Sequence, residues 1–282
     1  MRIQNIRMKT VFELADPRDQ VLRGELREDM FAARLKDVMD GTADPVYLNP
    51  SLFCENTFPT AGLKTLLREV LGRLTGQSPT NNAVIRLETS FGGGKTHNLI
   101  ALYHAAKGEC PAHYLRAFLG EDAILARPGD IHVVGVVGSD LDPSAGIYHP
   151  QDDLTTYTLW GELAYQLGGR AGYELAREGD QGKIAPGTGL FERIVGPRPV
   201  LIMIDEIARH LRAAVATPTA TGKSNLAEQT VAFLMSLIEF AASQRQVVVV
   251  LTMASDVDAF ARETEELHRA LAENCPNVNP VI

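Results

Sequence analysis

The apolar positions along the chain change rhythm near residue 80. Before it the spacing is helical. Val21, Leu22, Leu26, Met30, Phe31 and Leu35 recur at three- and four-residue steps, predicting a charged helix over 17–40 that ends at Asp40-Gly41. Asp44-Pro45 through Asn49-Pro50 reads as a loop. Leu63, Leu66, Leu67, Val70 and Leu71 predict a second helix from Pro59 to Leu74, with Thr60 as its N-cap. Gly76-Gln77-Ser78-Pro79 punctuates.

After it, short aliphatic runs alternate with helical stretches, the pattern of a sheet wound with crossover helices. The strands are Ala83–Leu87, Ile131–Val137, Val200–Ile204 and Val247–Leu251; the helices are Lys95–Ala106, most of Leu154–Ala176, and Ser224–Ala242 with Ser224 as N-cap. Unbroken aliphatic strands are buried on both faces, as a parallel sheet requires. Ala213–Thr221 reads as a loop. The pattern predicts an α/β fold: a small helical region over 1–80, then a three-layer αβα core with a mostly parallel sheet over 81–282.

The chemistry lies where strands end. Glu88-Thr-Ser-Phe91-Gly92-Gly93-Gly94-Lys95-Thr96 sits between a predicted strand and a predicted helix. Glycines let backbone N–H groups turn inward around a phosphate chain, with a helix N-terminus behind them. Lys95 would meet the outer phosphates and the Thr96 hydroxyl would ligate Mg²⁺. The usual spacing asks for glycine at residue 89, where this chain has Thr. The strand Val200–Ile204 runs into Asp205-Glu206: Asp205 would hold the Mg²⁺ shell and Glu206 would activate water. Thr252, or Ser255 beside it, would reach the γ-phosphate or the water from the fourth strand. Together these predict a P-loop NTPase of the additional-strand, catalytic-glutamate type. No guanine-reading N-K-x-D occurs, which favours ATP. Thr221-Gly222-Lys223-Ser224 imitates a phosphate loop but has no strand before it.

Charge and cysteines narrow the picture. Lys plus Arg total 27 against 35 Asp plus Glu, a net −8, which argues against coating nucleic acid by bulk charge. Cys54, Cys110 and Cys275 have no C-x-x-C spacing and read as free thiols of a reducing cytoplasm. The first ten residues lack an apolar h-region, and no aliphatic run approaches the ~20 residues that span a bilayer. A cytoplasmic protein without a membrane partner is expected. His97 and His104, seven apart, share a helix face and are expected to pack.

Phe91-Gly-Gly-Gly-Lys-Thr-His97, Thr57-Phe-Pro-Thr60, Thr158-Leu-Trp160-Gly161-Glu162-Leu-Ala164 and Ile204-Asp-Glu-Ile207 together resemble bacterial ATPases classed as domain of unknown function four hundred and ninety-nine. These are AAA-like proteins found beside DNA methyltransferases in anti-phage clusters. The resemblance implies ATP and Mg²⁺ as cofactors, with Phe91 to His97 as the nucleotide loop. It also implies protein partners or a homo-oligomer, and DNA reached through a complex. Hydrolysis would remodel or switch a partner complex; the alternative is a non-hydrolysing, nucleotide-dependent interaction module. Arg209, Arg212 and Arg245 flank the Asp-Glu turn or the fourth strand and are candidates for a trans-acting arginine, with a solvated role expected for each. The family core resembles a sheet of order 5-1-4-3-2, of which four strands can be placed. Asp256–Ala272 reads as a charged helix, so the core is expected to lack its C-terminal strand and lid and to turn over slowly alone.

Overall fold

A computed structural model describes residues 10, 13, 16, 22–24, 33–89 and 94–254. Phe91, Gly92, Gly93, Ser255, Cys275 and the helix expected over 256–272 lie outside them. The chain forms two compact units, Met1–Ala33 and Arg34–Ile282. In the first, the Thr10 amide donates to the Glu13 carboxylate at 2.9 Å.

The second unit opens with short helices. A single helix through residue 40 is not found. Arg34 is extended (φ −114°, ψ 130°), and α1 spans only Leu35–Met39, burying Leu35 and Val38. The segment expected as a loop holds two helices, α2 (Pro45–Leu48) and α3 (Pro50–Glu55). Both begin with proline at the first position, where its missing N–H costs nothing. The preceding side chains are the caps: Asp44 accepts from the Val46 amide, and Asn49 from the Ser51 and Leu52 amides. Helix α4 (Ala61–Leu74) begins at the expected cap, Thr60, whose hydroxyl accepts from the Leu63 amide at 3.1 Å.

Four strands form one parallel sheet: β1 (Val84–Thr89), β2 (His132–Val137), β5 (Val200–Asp205) and β6 (Val247–Ala254). Their order is β1-β6-β5-β2, with Val84 opposite Val249, Ile202 opposite Val249, and Val134 opposite Ile202. This is the relative order 1-4-3-2 expected of the four strands. Among the described residues β1 and β2 are the sheet edges. A separate antiparallel pair, β3 (Ile147–His149) and β4 (Leu154–Thr156), lies between β2 and the next helix.

Alternation along the strands separates two layers of helices. Ile202, Ile204, Val249, Leu251, Val134 and Val136 share a core with α7 (Leu159–Gly182), α8 (Gly189–Ile194), α9 (Ile207–Ala214) and α10 (Leu226–Ser243). The opposite positions serve the layer built from α1, α4, α5 (Lys95–Ala106) and α6 (Ala112–Leu119). Trp160, fully buried, packs at 5.5 Å between ring centroids on Phe233. Burial of each such side chain contributes about 2–3 kcal/mol. Helix α10 is the one described helix apolar and long enough to cross a membrane; here its Phe233, Leu234, Leu237 and Phe240 are buried in this core.

Leu154–Ala176 is mostly helical, as expected: Leu154–Thr156 is β4, and α7 runs from Leu159 with a break at Gly169 (φ 59°, ψ −151°), a backbone conformation that glycine adopts without a Cβ penalty. One further expectation is corrected. The cap of α10 is Asn225, not Ser224. Asn225 accepts from the Glu228 amide at 2.9 Å, and the Glu228 carboxylate reaches back to the Asn225 amide at 3.4 Å, a complete capping box.

Candidate functional site

All four strands of the main sheet end on the same side, so residues far apart in sequence converge there. Gly94 takes the left-handed conformation (φ 72°, ψ 15°) and caps α5, which starts at Lys95. Thr96 in its first turn donates from Oγ1 to Asp205 Oδ2 at 2.9 Å. Thr252 on β6 donates to Asp205 Oδ1 at 2.5 Å, and the same hydroxyl accepts from the Glu206 amide at 2.9 Å. The carboxylate closing β5 is therefore held between α5 and the neighbouring strand β6. Asp205 is 2% exposed, and burial pushes its carboxyl above the usual range, while the two hydroxyls favour the charged form and offset part of that rise.

Glu206 sits in a different environment. It is the residue between β5 and α9, in the left-handed region (φ 51°, ψ 35°), a conformation that costs a non-glycine residue about 1–3 kcal/mol. Its side chain is half-exposed at the carboxyl end of β5, and Arg209 Nη1 donates to Oε2 at 2.9 Å. Arg209 is 68% exposed, so the pair contributes only about 0–1 kcal/mol.

Asn98 was not singled out by the sequence. Its Nδ2 donates to the Gly94 carbonyl at 2.8 Å, while its Oδ1 is buried without a partner. An asparagine one turn beyond the glycine it fixes is the signal that could have found it. His97 faces away from the strand ends. Its ring lies 4.7 Å from that of Phe53, and Nε2 is 3.1 Å from the Thr57 hydroxyl. That hydroxyl donates to the Phe53 carbonyl, so Nε2 carries the hydrogen; burial lowers the pKa of the ring. His104 on the same face meets the Tyr47 carbonyl at 2.7 Å. Both histidines pack as expected. The residues 221–224 form a turn whose Ser224 carbonyl accepts from the Thr219 amide and hydroxyl.

The segment Trp160-Gly161-Glu162 is structural in each of its positions. A Cβ at Gly161 would lie 2.1 Å from Asp180 Oδ1. Asp180, fully buried, accepts from the Thr158 amide and hydroxyl at 2.9 and 2.6 Å and from Tyr173 at 3.0 Å. Glu162 accepts from His149 Nε2 at 2.9 Å, Thr156 at 2.6 Å and Gln166 at 2.7 Å. Burial raises the Glu162 pKa, but these donors outweigh it and hold it below the usual carboxylate range. Gln166 also exchanges two 2.9 Å hydrogen bonds with the Gly135 backbone, capping the outer edge of β2 as a strand would. His149, Glu162 and Gln166 line a cavity of about 450 Å³ beside β2.

No curated protein matches the chain. The DUF499 N-terminal domain matches residues 10–278, nearly the whole length, and the chain belongs to the DUF499 family.

Proposed function

We propose that this chain is a P-loop ATPase core that binds Mg·ATP at the strand ends and couples its hydrolysis to remodelling or switching of a partner complex, in DNA-related phage defence. The observation that carries the reading is the 2.9 Å contact between Thr96 and Asp205. It joins the first turn of a helix behind a glycine-rich segment to the carboxylate ending β5, the parallel strand two places from β1 in the sheet. Ligands of open α/β sheets bind outside the carboxyl ends of the strands, where helix N-termini favour anions.

Mg²⁺ fits this donor set, because it takes one or two protein oxygens of hard character and keeps the rest of its shell as water. Thr96 and Asp205 would hold it, and bound there it would neutralise phosphate charge. The chain does the rest. Lys95, opening α5, meets phosphate oxygens. Thr252 positions Asp205 through its hydroxyl. Glu206, more exposed than Asp205, accepts the proton of the attacking water. The test is direct: ATP binding and phosphate release, each with and without Mg²⁺ and with and without DNA. Mg²⁺-dependent binding followed by phosphate release supports the ATPase.

One observation favours a second reading, a nucleotide-dependent interaction module that does not hydrolyse: Arg209 holds the Glu206 carboxylate at 2.9 Å. Tight ATP binding without phosphate release would select it. Absence of binding would exclude both.

A further inference from the structure

Cys54 and Cys110 are 56 residues apart, yet their sulfurs lie 2.6 Å from each other. Cys54 is on the buried side of α3 and Cys110 in the connection between α5 and α6; they are 4% and 8% exposed. No C-x-x-C spacing links them in the sequence. Two thiols held in contact need no rearrangement of distant segments to react, and the pair is independent of the proposed nucleotide site.

We propose that Cys54 and Cys110 form a redox modification site, closing to an intramolecular disulfide when a small peroxide reaches the pair. The Cys110 thiol hydrogen-bonds to Cys54 and lowers the Cys54 pKa, so Cys54 supplies the thiolate. The Cys54 thiolate attacks one oxygen of hydrogen peroxide; the O–O bond breaks, and hydroxide leaves and is protonated to water. Cys54 is then a sulfenic acid. The Cys110 sulfur attacks the Cys54 sulfur, the S–O bond breaks, and the departing hydroxide takes the Cys110 proton as a second water. Two thiols lose two electrons and one peroxide gains them. A thiol reductant reverses the bond by exchange.

The bond would tie α3 to the end of α5. Helix α3 also carries Phe53, against the rings of His97 and His104, and is followed by Thr57, bonded to His97. Oxidation therefore fixes the contact between the N-terminal helices and the helix that begins at Lys95.

The experiment exposes the reduced full chain to hydrogen peroxide, then denatures it, alkylates free thiols and maps peptides by mass. Alkylatable thiols should fall from three per chain to one, with a single cross-linked peptide pair joining residues 54 and 110 that dithiothreitol removes. A Cys275→Ser variant should give the same cross-link. In Cys110→Ser the reaction should stop at a sulfenic acid on Cys54, trapped by dimedone. Full alkylation of Cys54 and Cys110 after peroxide, or a disulfide that instead uses Cys275 or joins two chains, would overturn the proposal. The mapping on the parent chain decides it even should the serine variant fail to fold.

Discussion

Gly138, just past the end of β2, lies directly beneath the backbone carbonyl of Glu206: a Cβ at residue 138 would sit 2.3 Å from that oxygen and 3.0 Å from the Ile207 Cα. The left-handed turn that carries Glu206 thus rests on a neighbour with no side chain. Backbone cannot yield as a flexible side chain can. Gly138→Ala should therefore cost about 2–3 kcal/mol and displace Glu206 from the strand end. Thermal melting reads the first effect and ATP turnover the second; an alanine variant with parental stability would mean the loop around 138 moves freely.

Lys95 opens α5 at the strand ends, where the proposed function has its amine meet the phosphates. Lys95→Ala should leave the melting temperature within about 2 °C and weaken ATP binding at least about tenfold, a loss of about 1.4 kcal/mol. Titration with a labelled nucleotide is the measurement. Unchanged affinity would remove the phosphate-loop assignment.

Glu206 and Asp205 are adjacent, and the proposed reaction gives them separate tasks. In Glu206→Gln the amide can orient water but cannot take its proton, so Mg·ATP stays bound while single-turnover hydrolysis slows by about 10²–10⁴. Parental turnover in this variant would make the glutamate structural and leave hydrolysis to another group.

The raised pKa of Asp205 has a sign that can be checked. A group whose folded pKa lies above its unfolded value stabilises the fold most at pH below both, and that contribution is lost as the pH rises through the folded value. At neutral pH the buried charge is therefore a cost. Asp205→Asn should raise stability by on the order of 1 kcal/mol, or about 3 °C in Tm, and the advantage should fade as the pH falls through the carboxylate range. The same variant should lose the Mg²⁺-dependent part of ATP binding. Melting curves of both proteins from pH 4 to 8 settle the sign; a variant less stable than the parent at pH 7 would refute it.

Glu162 behaves oppositely. Its pKa is held down, so its contribution is present above the ordinary carboxylate range and is lost as the pH falls through the folded value. Glu162→Gln should cost about 2 kcal/mol at pH 7, because His149, Thr156 and Gln166 lose a charged acceptor. Parent and variant should converge toward about pH 4 and below. A gap that persists unchanged into acid would assign the loss to shape and not to charge.

Much of this architecture is legible in the sequence, and what is legible is local. Val200–Ile204 and Val247–Leu251 announce buried strands because five consecutive aliphatic side chains can be covered only from both sides. Lys95-Thr96 and Asp205-Glu206 each stand at a strand-to-helix transition visible in the pattern. Even the helices read as a loop had a local signal, since Asp44-Pro45 and Asn49-Pro50 place a cap before a proline. The partners were not legible. Thr96 meets Asp205 across 109 residues, Thr252 meets Asp205 across 47, and Cys54 meets Cys110 across 56. Asp180 sits in the charged run Arg177-Glu178-Gly179-Asp180, yet it is fully buried under the Thr158 amide. Sequence periodicity fixes which residues form strands and which faces they bury. Which side chains then touch depends on the order β1-β6-β5-β2 and on where each crossover helix lands, and no local pattern carries that information because the contacts are made between elements.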